Sequence, residues 1–195
     1  MEKTIQLTDS HQLRMTVYAA LFAAMIAAGA FISVPIGPVP IVLQNMFILL
    51  AGLMLGWRWG LAAVAVYLLA GALGLPVFAG GTGGIGRFAG PTGGYLIGFL
   101  PAVFVVGFLS KRGKGWQRIL MEIISMILGS LIVYMFGVPW LKIVTGMTMQ
   151  KALTLGLLPF LIGDAIKIAA AFFIAQALRP ILSIGSPGDD ARSGD

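Results

Sequence analysis

The chain has 195 residues, 58% hydrophobic and only 10% charged, with a mean hydropathy of +0.97. Soluble domains carry about 25% charged residues, so this chain cannot clothe a globular surface, and a soluble enzyme is excluded. Its net charge of +6 points to basic loops facing an anionic leaflet, and no nucleic-acid partner is expected.

At roughly 20 apolar residues per span, there is room for five to seven membrane helices and little else. Apolar runs between charges and Pro/Gly clusters define six: Leu13–Val34, Ile41–Leu55, Trp59–Leu75, Thr92–Leu109, Ile119–Phe136 and Leu158–Leu178. The first is too long for a signal-peptide core. The second and third are separated only by Gly56-Trp57-Arg58, which predicts a tight helical hairpin. The expected architecture is an all-α bundle of six transmembrane helices over residues 1–182, with a polar, disordered tail over 183–195.

Charge placement sets the direction. With the N-terminus inside, Lys3, Arg14, Arg58, Lys111, Arg112, Lys114, Arg118, Arg179 and Arg192 face the cytoplasm. Arg87, Lys142 and Lys151 face out, and Lys167 lies within the last span. That asymmetry predicts both termini in the cytoplasm of a multi-pass cell-membrane protein.

The outer loops are elaborate. Pro35, Pro38 and Pro40 stiffen the first. The second, Leu75 to about Gly94, is glycine-rich, and the third is predicted over Gly137–Pro159 with helical character around Thr148–Leu157. Such loops above a compact bundle read as lids over an outward pocket.

Few motifs carry chemistry. Gly81-Thr82-Gly83-Gly84-Ile85-Gly86 formally matches GxGxxG, but an apolar helix precedes it and the next acid is Glu122; a dinucleotide fold needs a strand before it and an acid about 20 residues on. No GxxxxGK[ST] occurs, so any ATP-driven step belongs to another subunit. With no cysteine and only His11 as histidine, thiolate chemistry and multi-histidine metal centres are out, and no cofactor is expected.

Asp164 and Lys167, three residues apart in the last span, share a helix face. An ionisable group at mid-membrane costs roughly 2.5–3.5 kcal/mol on insertion scales. Two together mark a ligand or ion site, or else a self-neutralising structural pair. Arg87 is the charge of the glycine-rich loop and suits a carboxylate. Glu122 can pair with Arg118 one turn earlier as a structural contact. Trp57, Trp59, Trp116 and Trp140 sit at predicted span ends as interfacial anchors. Ala19, Ala23 and Ala27 recur every four residues, as do Ala20, Ala24 and Ala28 beside them, a spacing that permits close helix contact.

Three segments together resemble the BioY family: PIGPVPIVLQN (Pro35–Asn45), GPTGGYLIGF (Gly90–Phe99) and GDAIK (Gly163–Lys167). The resemblance runs from about Ala19 to Leu178. It implies a biotin-capture subunit of an energy-coupling factor importer, with six helices and a site near the outer surface. The implied partners are a transmembrane scaffold component and two ABC-type ATPases, and the first-helix alanines, here Ala19, Ala23 and Ala27, are implied as the scaffold contact. Chemistry then suggests roles. Asp164 accepts the ureido N–H groups, while Lys167, Gln44 or Asn45 donates to the ureido carbonyl. Arg87 binds the carboxylate, aided by the loop Gly80, Gly81, Thr82, Gly83 and Gly84, and Tyr95 and Phe88 supply apolar wall. The reverse, with the carboxylate on Lys167 and the ureido ring on the loop, stays open. The competing function is an autonomous ion-coupled carrier for a small carboxylate or vitamin, with Asp164 and Lys167 relaying protons.

Overall fold

The computed structural model describes residues 2–35 and 37–182; the tail 183–195 lies outside the described residues. It is all-helical apart from one small ribbon. Helix α1 (Glu2–Phe31) stops three residues short of the expected end of the first span. Strands β1 (Ser33–Val34) and β2 (Ile41–Val42) then pair antiparallel, Ser33 opposite Val42 and Val34 opposite Ile41. The prolines between them forbid helix and leave the flanks extended, so both predicted span ends yield residues to this ribbon. Leu43 N donates to Gly29 O at 3.2 Å and Ile32 O at 3.1 Å, seating the ribbon on the end of α1.

Helix α2 (Gln44–Ala72) is two helices joined at Gly56, whose φ of 75° and ψ of −177° break the helical path. The positive φ favours glycine, which has no Cβ to clash. The halves fold back on each other: a Cβ placed on Gly60 would lie 3.4 Å from Ala51 O, whereas nine residues of straight helix would separate them by about 13 Å. The hairpin expected from Gly56-Trp57-Arg58 is therefore present. Its first half, ending at Leu55, is about 18 Å long at 1.5 Å per residue, well short of a bilayer core of about 30 Å. Gln44 and Asn45 thus begin their helix inside the bundle and are buried.

A single turn, α3 (Gly86–Ala89), precedes α4 (Gly93–Leu109). Gly107 of α4 lies so close to the hairpin that a Cβ there would overlap the Trp57 backbone. Helix α5 (Trp116–Thr145) corrects the third loop. The breakers Gly137 and Pro139 predict an end at Phe136, yet the helix continues to a left-handed cap at Gly146. Tertiary packing overrides propensity here: Val138 and Leu141 are buried, and Gly137 leaves room for the Tyr95 ring. Helix α6 (Met149–Gly156) follows, capped by Thr148 Oγ1 accepting from Lys151 N, and then α7 (Leu158–Leu182). Among the described residues four helical stretches are long and apolar enough to cross a membrane: 11–31, 44–72, 116–145 and 149–180, while Gly93–Leu109 is apolar but shorter.

At one end of the bundle Glu122 of α5, 0% exposed, ties α5 to α7. Its carboxylate accepts from Arg118 Nε at 3.1 Å, Arg179 Nη2 at 2.8 Å and Gln176 Nε2 at 3.3 Å. The pair with Arg118 was legible from spacing; the reach to α7 was not. The alanine stripes also separate. Ala19 and Ala23 are 5% and 7% exposed and Ala27 is half-buried, whereas Ala20, Ala24 and Ala28 face outward. Ala19 and Ala23 therefore pack inside the chain, and the outward stripe of α1 is the neighbouring one, Ala20, Ala24 and Ala28.

Candidate ligand-binding site

A cavity of about 250 Å³ lies between the far ends of α2, α4, α5 and α7, beneath the loops. Its volume falls near the lower end of small-molecule sites, which run from roughly 300 Å³ upward. One small ligand fits.

Its buried polar wall is built from three helices. Asp164 and Lys167 of α7 are 5% and 8% exposed, with Lys167 Nζ donating to Asp164 Oδ1 at 3.1 Å. Asp164 Oδ2 accepts from the Tyr134 hydroxyl of α5 and, more weakly, from Asn45 Nδ2 of α2 at 3.4 Å. Three donors hold the carboxylate, and a carboxylate has about four acceptor positions, so little capacity remains there. The groups left over are different ones. Asn45 Oδ1 is buried without a hydrogen-bond partner, Gln44 Nε2 has no close partner and only the Tyr67 hydroxyl near it, and both residues line the cavity. The unpaired acceptor carries a desolvation cost of about 1–3 kcal/mol that a ligand can relieve.

The apolar wall comes from Tyr95, Leu96 and Phe99 of α4, Val133 of α5 and Phe160 of α7. Tyr95 presents its ring only, because its hydroxyl donates to Gly156 O at 2.9 Å. Pro38, Val39, Pro40 and Val42 close one side, and Phe78, Ala79, Thr82, Pro91 and Thr92 the other. Arg87 of α3, half-buried, lines the cavity from that loop and carries no ion pair among the described residues.

The structure thus gathers Arg87, Thr82, Tyr95, Gln44, Asn45, Asp164 and Lys167 around one space. It does not bring Gly80, Gly81, Gly83 or Gly84 to the cavity wall. The amides of Gly81 and Thr82 donate to Phe78 O, and Gly84 N donates to Gly71 O at 2.7 Å. The glycines close the loop on itself, with positive φ at Gly80, Gly81 and Gly84, so in this structure they turn the loop tightly over the cavity. Phe88 stands behind the wall, its ring edge-on to Phe78 at 5.8 Å. Trp140 does more than anchor: its Nε1 donates to Gly90 O at 3.0 Å and fixes the loop before α4.

Sequence reasoning missed Tyr134, Phe78, Phe99 and Phe160. Tyr134 left a signal, since a tyrosine within an apolar span must find a partner for its hydroxyl. The three phenylalanines left none, being indistinguishable from lipid-facing ones.

The BioY family description matches residues 1–184. The chain is 46% identical over 160 residues to the "probable biotin transporter BioY" of Pyrococcus horikoshii, covering 82% of this chain and 93% of that protein. It is 41% identical over 169 residues to the "biotin transporter BioY" of Thermotoga maritima, covering 87% and 98%. Among solved structures it is similar to the S-component for biotin from an ECF-type ABC transporter, with a TM-score of 0.80 at 34% identity, covering 88% of this chain and 93% of that one.

Proposed function

The chain belongs to the BioY family, and from that premise we propose that it captures biotin as the substrate-binding subunit of an energy-coupling factor importer in the cell membrane. Its role is transport without catalysis. A transmembrane scaffold component and two ABC-type ATPases supply the energy, since the chain has no nucleotide-binding loop of its own.

The observation that carries the ligand assignment is the division of charge around the cavity. Asp164 and Lys167 neutralise each other, whereas Arg87 has no acidic partner among the described residues. A ligand with one carboxylate is best placed with that group on Arg87. Its uncharged polar head then lies against Gln44, Asn45 and the Asp164–Lys167 pair. Biotin has this layout. Asn45 Oδ1 accepts a ureido N–H, with the remaining acceptor position of Asp164 available to the second. Gln44 Nε2 and the unused Lys167 protons donate to the ureido oxygen, and the thiophane ring and valeryl chain lie along Tyr95, Phe99 and Phe160. The pairing of Asp164 by Lys167, Tyr134 and Asn45 favours a preorganised binding surface over a proton relay.

Biotin and its neutral amide separate this arrangement from its reverse. The unaltered chain is expected to bind biotin more tightly, by about tenfold or more, since a charge-assisted bond is worth roughly 1.5–3 kcal/mol. Arg87→Gln should erase the preference. Should the preference survive in Arg87→Gln, the carboxylate lies on Lys167 instead.

Six membrane crossings follow if each half of α2 counts as one and α6 sits with the outer loops. Both termini then face the cytoplasm, with Lys111, Arg112, Lys114, Arg118 and Arg179 at the inner end. An accessibility tag at Gly113 should report cytoplasm and one at Gly83 the outside; the opposite readout would invert the topology.

A further inference from the structure

The end of the bundle remote from the cavity carries a second feature, independent of biotin. Trp57 of the α2 hairpin and Phe104 of α4 meet edge to face at 5.7 Å, and Phe104 stacks on Phe108 at 5.8 Å with planes 8° apart. All three rings are exposed, so they form a continuous aromatic column on the outer face of the bundle. Each end of the column has a guanidinium. Arg58 Cζ lies 5.0 Å from the Trp57 ring centroid and Arg112 Cζ 4.3 Å from that of Phe108. Lys111 lies against the Gly56 turn, where an added Cβ would meet its Nζ at 2.8 Å.

None of these three cations has an ion pair among the described residues. Of the acids whose side chains are described, Glu122 is taken by Arg118 and Arg179, and Asp164 by Lys167. Desolvation, and then the charges of Arg118 and Arg179, hold the Lys111 ammonium below the ordinary lysine value. Among the described residues the cluster has no anion beside it. A cation stacked on a ring keeps its outer N–H groups free to donate.

We propose that this face binds anionic phospholipid, with Arg58 at one end of the aromatic column and Arg112 at the other donating to headgroup phosphates, Lys111 adding positive charge nearby, and an acyl chain laid along Trp57, Phe104 and Phe108. The charge selects the occupant: a phosphatidylcholine headgroup would bring its own cation against three others, while phosphatidylglycerol brings net negative charge. The rings supply the apolar half of the site at the depth where aromatic belts lie.

The test is native mass spectrometry of the full chain released from bilayer discs of equal phosphatidylglycerol and phosphatidylcholine content. The parent is expected to retain phosphatidylglycerol preferentially. Arg58→Gln/Arg112→Gln should lower that preference by about tenfold, given the worth of each basic residue near an anionic surface. Lys151→Gln, which removes an exposed cation elsewhere, should leave it unchanged. No preference in the parent, or an unchanged preference in the double variant, overturns the site. An equal loss in Lys151→Gln also overturns it, as bulk charge. If the parent shows no preference while the double variant fails to assemble with its transporter partners, the face belongs to a protein and the lipid site falls.

Discussion

Replacing Lys167 with Met is expected to weaken biotin binding by at least about tenfold and to destabilise the fold by on the order of 3–5 kcal/mol, the usual cost of breaking a buried ion pair from one side. The cost arises because Asp164, 5% exposed, keeps only Tyr134 and Asn45 as donors once the ammonium is gone. Asp164→Asn should do comparable damage from the other side, leaving Lys167 charged and buried. The double variant Asp164→Asn/Lys167→Met separates the two roles. Removing both charges ends the uncompensated burial, so thermal stability in detergent should return most of the way to the parent. Biotin affinity should stay low, since the charged donor to the ureido oxygen, Lys167, is still missing and the Asp164 acceptor is no longer charged. If affinity recovered together with stability, the pair would be structural and the ligand would be recognised elsewhere.

Ala24→Leu is expected to abolish biotin uptake by the assembled transporter while leaving equilibrium binding by the isolated chain within about twofold of the parent. Ala24 faces outward between Ala20 and Ala28, and small residues at this spacing let another helix approach closely. A leucine there holds a partner away by the thickness of its side chain without touching the cavity, to which α1 contributes no lining residue. Ala23→Leu makes the contrast: Ala23 is 7% exposed, so its enlargement should cost stability by overpacking, about 1–3 kcal/mol. Uptake that survives Ala24→Leu would place the scaffold contact on another face.

The parts of the fold legible in the sequence were those written in single residues. Gly56 between two apolar runs announced the hairpin, and the spacing of Asp164 and Lys167 announced their pair. Arg87 stood out because its loop offers no other charge. What the sequence hid depended on neighbours far along the chain. Gly137 and Pro139 read as a helix end because the ring of Tyr95, which fills the space that Gly137 leaves, is invisible from α5 alone. The two alanine stripes differ by one position, and only the packing of α1 against α2 decides which is buried. The amides of the glycine-rich loop could have faced a ligand or closed a tight turn, and they serve Phe78 and Gly71. A backbone donor advertises nothing about where it is spent.

The chain alone is expected to hold biotin in the cavity between Gln44, Asn45, Asp164, Lys167 and Arg87. The decisive experiment is equilibrium binding to the purified chain, without scaffold or ATPases. One biotin should bind per chain, not displaced by thiamine or riboflavin, whose shapes and charges do not match a single carboxylate opposite an uncharged head. Absence of biotin binding by the isolated chain, or equal displacement by those vitamins, would contradict it.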